Sequence, residues 1–159
     1  PTYNGNHVSF SDMKFFLKST QAPHPPMWVG VEARLARERA GRLGDGWYPV
    51  GNNPNALFDT PERYANGLKD VHETAIASDR NPAKIACGIY IIWYNLGQTE
   101  HDSLGKRRSF TGSAQDILRD IAAYEKIGLQ HLVIGGESDN LDACLQRMRV
   151  FNKEIMHYV

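Results

Sequence analysis

The chain is poor in cysteine, has no excess of either charge and contains no long apolar run. Two cysteines in 159 residues, Cys87 and Cys144, do not make a disulfide framework. Cys87 sits in a predicted buried strand and Cys144 on the apolar stripe of a predicted helix. Both therefore read as reduced packing residues, and an intracellular, cytoplasmic setting is the expectation. Lys+Arg 18 against Asp+Glu 18 leave a formal net charge of zero, without the basic excess that neutralises nucleic-acid phosphates. The single basic cluster, Lys106-Arg107-Arg108, is short and reads as a solvated loop. Ile85 to Tyr94, the longest strongly apolar run, is half the roughly 20 residues needed to span a bilayer. Neither a nucleic-acid nor a membrane partner is expected. The chain opens at Pro1 without an apolar leader, as a processed chain or a piece of something longer does.

What is present is ordinary globular composition, hydrophobic 42% and charged 23%, which excludes a disordered or collagen-like chain. The length fits a single domain and falls below the roughly 250 residues of a complete eight-fold β/α barrel. Residues 1–26 form an irregular lead-in with short extended segments, His7 to Phe10 alternating as a strand does. Pro23-His24-Pro25-Pro26 is rigid and extended, because each proline blocks helix and biases its predecessor away from it.

From 27 to 159 the pattern is strand then helix, four times over. Met27 to Val31 has the length of a buried strand. Ala33, Ala36, Ala40 and Leu43 then recur at helical spacing, with Gly44 as a left-handed stop. Asp45 to Val50 reads as the second strand and Gly51 to Asn55 as a loop. Asp59 or Thr60 caps the next helix, with Pro61 at its first position. Ile85 to Trp93, β-branched and aromatic throughout, predicts a strand covered on both faces. A polar loop follows from Tyr94 to Thr111. Ser113 and Asp116 resemble a capping box ahead of Ile117, Ile121 and Tyr124. His131 to Ile134 is the fourth strand, and the last helix, from about Asp139, carries Leu141, Cys144, Leu145, Met148, Phe151 and Ile155 on one face. Alternating strands and helices mean parallel strands joined by crossovers. An open doubly wound sheet and half of an eight-fold barrel both satisfy this order.

Pro25-Pro26-Met27-Trp28-Val29-Gly30, followed by Arg42-Leu43-Gly44-Asp45-Gly46-Trp47-Tyr48-Pro49, resembles the bacterial luciferase-like oxidoreductase family. Phe110-Thr111-Gly112-Ser113, Tyr124-Glu125-Lys126-Ile127-Gly128 and His131-Leu132-Val133 are similar to its C-terminal signature. The likeness runs from Tyr3 to about Met156 and is greatest to the deazaflavin (F420)-dependent branch, with FMN-using relatives close behind. It implies a TIM (β/α)8 barrel of which this chain supplies strands five to eight, a half-barrel. It implies hydride transfer through a deazaflavin or flavin, with the proton-handling His and carboxylate in the absent first half. No catalytic residue is therefore assigned within this chain. Val31 stands where that family has a second glycine.

The same resemblance implies cofactor contacts at Gly30, Val31 and Ala33, where a strand end meets a helix start, and at Gly46 and Trp47 one unit later. Val50 would face substrate. Gly112 and Ser113, with Gly135-Gly136, open the last two helices, where barrels often hold phosphate, and Arg107 or Arg108 could neutralise it. Each also has a plain structural reading: strand–helix turns, a buried Trp47, a capping Ser113. The six histidines show no ligand spacing, so no metal site is expected. His101, between Glu100 and Asp102, reads as part of a solvated loop. Four strands cut from a closed barrel leave two open edges, so self-association or pairing with the missing half is expected. The alternative function is a non-catalytic half-barrel serving as a binding or assembly module.

Overall fold

The computed structural model describes residues 1–14, 16–102 and 105–159; residues 103 and 104 of the expected polar loop lie outside it. The lead-in holds one small hairpin, β1 (Tyr3–Asn4) antiparallel to β2 (Ser9–Phe10), joined at the turn by Gly5 N–H donating to the Val8 carbonyl at 2.9 Å. Four units follow. These are β3 (Trp28–Val29) with α1 (Arg34–Leu43), β4 (Gly46–Trp47) with α2 (Pro61–Ala77), β5 (Ala86–Ile91) with α3 (Ala114–Lys126), and β8 (His131–Ile134) with α4 (Leu141–Glu154). Between β5 and α3 the chain inserts β6 (Asn95–Leu96), parallel to β7 (Thr111–Gly112). The main sheet runs β3-β4-β5-β8 with every pair parallel. Chain order equals spatial order, as in a barrel wall; a doubly wound sheet reverses direction part-way.

The helices cover one face of this sheet. Trp47, Cys87, Ile89 and Ile91 point into that layer and are buried, together with Tyr64, Leu68, Val71, Ile117 and Tyr124 of the helices. Aromatic rings form its centre. Trp47 stacks on Tyr64 at 5.1 Å, and Tyr124 lies between Tyr64 (5.8 Å) and Phe110 (5.1 Å). Their polar ends are satisfied, Tyr64 Oη donating to the Gly88 carbonyl and Tyr124 Oη to that of Phe58. Thr60 caps α2 with Pro61 at its first position, and Ser113 and Asp116 form a complete capping box on α3.

Several sequence expectations need correction. Gly44 ends α1 at φ −79°, not in the left-handed region; its lack of a side chain instead admits Val29 Cγ2 and the Ala40 carbonyl. Gly128, at φ +102°, is the left-handed stop after α3. β5 is covered on both faces only along part of its length: Gly88 is buried beneath Trp28 and Tyr48, but Ile92 at the end of the same face remains exposed. Of the basic cluster only Lys106 is exposed: Arg107 forks onto Asp120 at 2.5 and 2.9 Å, and Arg108 lies over the Trp93 ring while pairing with Glu100. The apolar stripe of α4 is largely uncovered, with Leu141 72% and Met148 54% exposed; only Ile155, just past its end, is buried. Of that stripe Phe151 packs edge-on against Tyr94, while Leu141 and Met148 remain largely open.

Candidate functional site

Alternation along the strands sends Trp28, Gly46, Tyr48, Gly88, Tyr90, His131 and Val133 to the face away from the helices. Two glycines shape its floor. A Cβ on Gly46 would sit 2.6 Å from the Trp28 ring, and one on Gly88 2.8 Å from Tyr48 and 3.0 Å from Trp28. That clearance lets the Trp28 indole lie across two strands and meet His131 edge-on at 4.9 Å, although β3 and β8 are the outermost strands. The sheet is thus curved around a ring-filled floor, as a barrel interior is.

Above this floor lie the C-terminal strand ends. Gly30 is exposed at the end of β3, and a Cβ there would come within 3.3 Å of the Tyr48 carbonyl. Val31 is half-buried, its carbonyl accepting from Trp47 Nε1 at 2.9 Å. Ala33 is the N-cap of α1; no side chain caps that end and its first turn has no acidic residue. The helix therefore leaves its positive end unneutralised, a setting that favours an anionic or carbonyl-rich group. Val50 bridges to Tyr90, and its N–H donates to Glu32 Oε1 at 2.9 Å, while Asn53 Nδ2 donates to Glu32 Oε2 at 3.0 Å. Glu32 ties the first loop to the second. The sequence reading missed it, since one glutamate beside a strand end carries no pattern.

Gly46 and Trp47 sit lower than expected. Gly46 is buried beneath the Trp28 ring, and Trp47 is wholly buried on the helix side with its N–H already engaged. Neither presents a surface to a ligand; they hold Trp28 and Val31 in place. At α3, Gly112 takes φ +106° and Ser113 is exposed, but the helix end already holds its own anion. Asp116 accepts from Ser113 N–H and Oγ, contacts Arg119, and is pushed down to about 2, the Ser113 hydroxyl contributing most. Arg107 and Arg108 are committed to Asp120 and Glu100. A phosphate at Ser113 would have to displace Asp116. His101 is exposed, and its acidic neighbours face elsewhere: Glu100 holds Arg108, and Asp102 Oδ1 accepts from Lys106 N–H.

Two hollows adjoin these loops. A cleft of about 740 Å³ opens beside Ala33 between α1, residues 55–58 and α2. Its cations are paired: Arg34 with Glu38, Arg37 with Asp70, Arg63 with Asp59, and Lys69 with Glu73. A second hollow of about 610 Å³ runs along the helix side of β8, past Leu132, Ile134, Met148 and Phe151, where α4 leaves the strand uncovered. Among the described residues no group of three His, Cys, Asp or Glu could hold a metal ion. Nor, among the described residues, is any helix long and apolar enough to cross a membrane.

No protein-family model matches the chain. Solved structures do. The coenzyme F420 dependent tetrahydromethanopterin reductase of Methanopyrus kandleri superposes with a TM-score of 0.74 over 98% of this chain and 57% of its own, at 12% identity. The fold is that of part of a β/α barrel, shared with a little over half of that reductase. An F420-dependent secondary alcohol dehydrogenase, solved with an F420–acetone adduct, gives 0.69 at 14% identity, covering 98% of this chain and 55% of its own. The monooxygenase RslO1 of Streptomyces bottropensis gives 0.66 at 16% identity, covering 100% and 56%. The half-barrel thus spans a little over half the length of each of these proteins.

Proposed function

We propose that this half-barrel is the C-terminal, cofactor-holding half of a luciferase-like oxidoreductase that uses coenzyme F420, with FMN as the alternative cofactor. The observation that carries the reading is the curved parallel sheet, superposing at 0.74 on an F420-dependent reductase, with its strand-end loops open beside an uncapped helix. Gly30, Val31 and Ala33 would hold the ring system and its polar side chain through backbone groups, Gly46 and Trp47 supporting them from beneath. Val50 would line the substrate side, and Gly112 and Ser113 the far edge of the same rim. When bound, the cofactor supplies the hydride chemistry; the chain's own residues orient it and exclude water.

The proton-handling groups belong to the missing half, so the isolated chain is expected to bind cofactor without turning over. General acid–base help is worth typically about 10²–10⁴-fold, and a cofactor held without it gains little. The test is equilibrium titration of the chain with oxidised F420 and with FMN, followed by fluorescence. Saturable binding that a Gly30→Leu substitution abolishes supports the reading; absence of binding to either cofactor overturns it. The second reading, an assembly module without turnover, is favoured by the uncovered edges and the exposed stripe of α4, and absent cofactor binding with strong association would select it.

A further inference from the structure

At the C-terminal edge of the open face, Tyr90 of β5 donates its phenolic hydrogen to Glu137, in the loop after β8. The pair is built by three positions. Tyr90 is in register with Val133 and bridged to Val50, so its ring is flanked by apolar neighbours on both sides. Gly135 leaves room for the pair: a Cβ there would press on the Glu137 carboxyl and approach the backbone of Ile92 at 3.2 Å. Glu137 has no structural duty at the next helix, because Asn140 caps α4 by accepting from Ala143 N–H. The Tyr90 hydrogen bond holds the Glu137 carboxyl below the usual carboxylate range, and the same bond raises the Tyr90 phenol. Arg147 is the cation whose field reaches Glu137, but its guanidinium donates to the Tyr94 carbonyl at 2.8 Å and lies over that ring.

An ionised carboxylate beside a phenol offers an acceptor and a pivoting donor at one spot. A neutral hydroxyl can donate to Glu137 while accepting from Tyr90; a carbonyl can accept from Tyr90 alone. A phosphate or carboxylate at that spot meets the like charge of the exposed Glu137 carboxylate. We propose that Tyr90 and Glu137 clamp an uncharged hydroxyl or carbonyl group of the substrate and discriminate against anionic substrates. The proposal rests on the oxidoreductase reading for what happens to that group, but the clamp is measurable without cofactor or turnover.

The experiment follows the ring signals of ¹³C-labelled tyrosine in the full chain during titration with cyclohexanol and, separately, cyclohexyl phosphate. Cyclohexanol should shift the Tyr90 signals saturably; Glu137→Gln should weaken it about ten-fold, as loss of a charge-assisted hydrogen bond does, and Tyr90→Phe about three-fold, as loss of a neutral one does. For Tyr90→Phe the remaining tyrosine signals report on folding and protein amide shifts on binding. Cyclohexyl phosphate should bind more weakly to the unaltered chain and regain affinity in Glu137→Gln, which a merely structural role would not produce. Phosphate binding equal to or tighter than cyclohexanol, or affinities unmoved by either substitution, overturns the clamp. Titration with F420 alongside separates the two ideas. Cofactor binding without alcohol preference sinks the clamp alone, and alcohol preference without cofactor binding sinks the oxidoreductase reading alone.

Discussion

Trp47 shows how one side chain joins the core to the site. Its ring fills the layer between sheet and helices, and its N–H fixes the Val31 carbonyl. Trp47→Phe keeps most of the ring but orphans that carbonyl, so chemical unfolding should register a loss of about 1–3 kcal/mol. Cys87 makes a second, independent case. Burial pushes its thiol up to about 11, while Cys144 is half-exposed. In the native state a thiol reagent at pH 8 should therefore modify Cys144 and leave Cys87 until the protein unfolds. Because the folded state holds the Cys87 proton more tightly, its contribution is intact below pH 9.0 and is lost as pH rises toward 11. Buried Tyr64 and Tyr124, both raised mainly by desolvation, act in the same direction. Unfolding midpoints should fall above about pH 9; a flat alkaline limb would contradict this burial.

The elements differ in how firmly they are held. α2 buries Tyr64, Gly67, Leu68, Val71 and Ala75, whereas no residue of α4 is buried. Amide hydrogen exchange should accordingly be much slower in α2 than in α4, since local opening is cheapest where little apolar surface is covered. α1 and α2 meet at Gly41, where a Cβ would collide with the Val71 carbonyl. Gly41→Ala improves helix propensity by about 1 kcal/mol, yet the clash should leave it destabilised by about 1–3 kcal/mol in thermal unfolding. At this scale the sequence was most legible. Period, caps and breakers located all four strand–helix units and the Thr60 and Ser113 caps. The strands came out shorter than the apolar runs because apolar residues continue into the strand-end loops, as Val31 and Val50 do. The candidate site was less legible. Glu32, Tyr90 and Glu137 are far apart in sequence and carry no shared motif, so only the fold brings them to one rim. Gly46 has the composition of a ligand-approach glycine, but its neighbour across the pleat, Trp28, takes the space.

The whole molecule is an open structure. β3 and β8 are the end strands of the main sheet, Ile92 and Val133 are exposed on its inner face, and α4 displays Leu141 and Met148. Unpaired parallel edges and an uncovered apolar face of this kind are the features that completion of a barrel removes. The reductase, dehydrogenase and monooxygenase it resembles each carry a further stretch of chain beyond the part that superposes. On the proposed reading, this half-barrel is completed by a second half, either another copy or the first half of the barrel. Multi-angle light scattering of the purified chain over a wide concentration range tests that most directly. A concentration-dependent dimer is expected, with an interface above about 1,000 Å², the scale of specific interfaces; a Val133→Lys substitution on the inner face of β8 should weaken it. A monodisperse monomer at the highest concentrations, unchanged by that substitution, would contradict the claim.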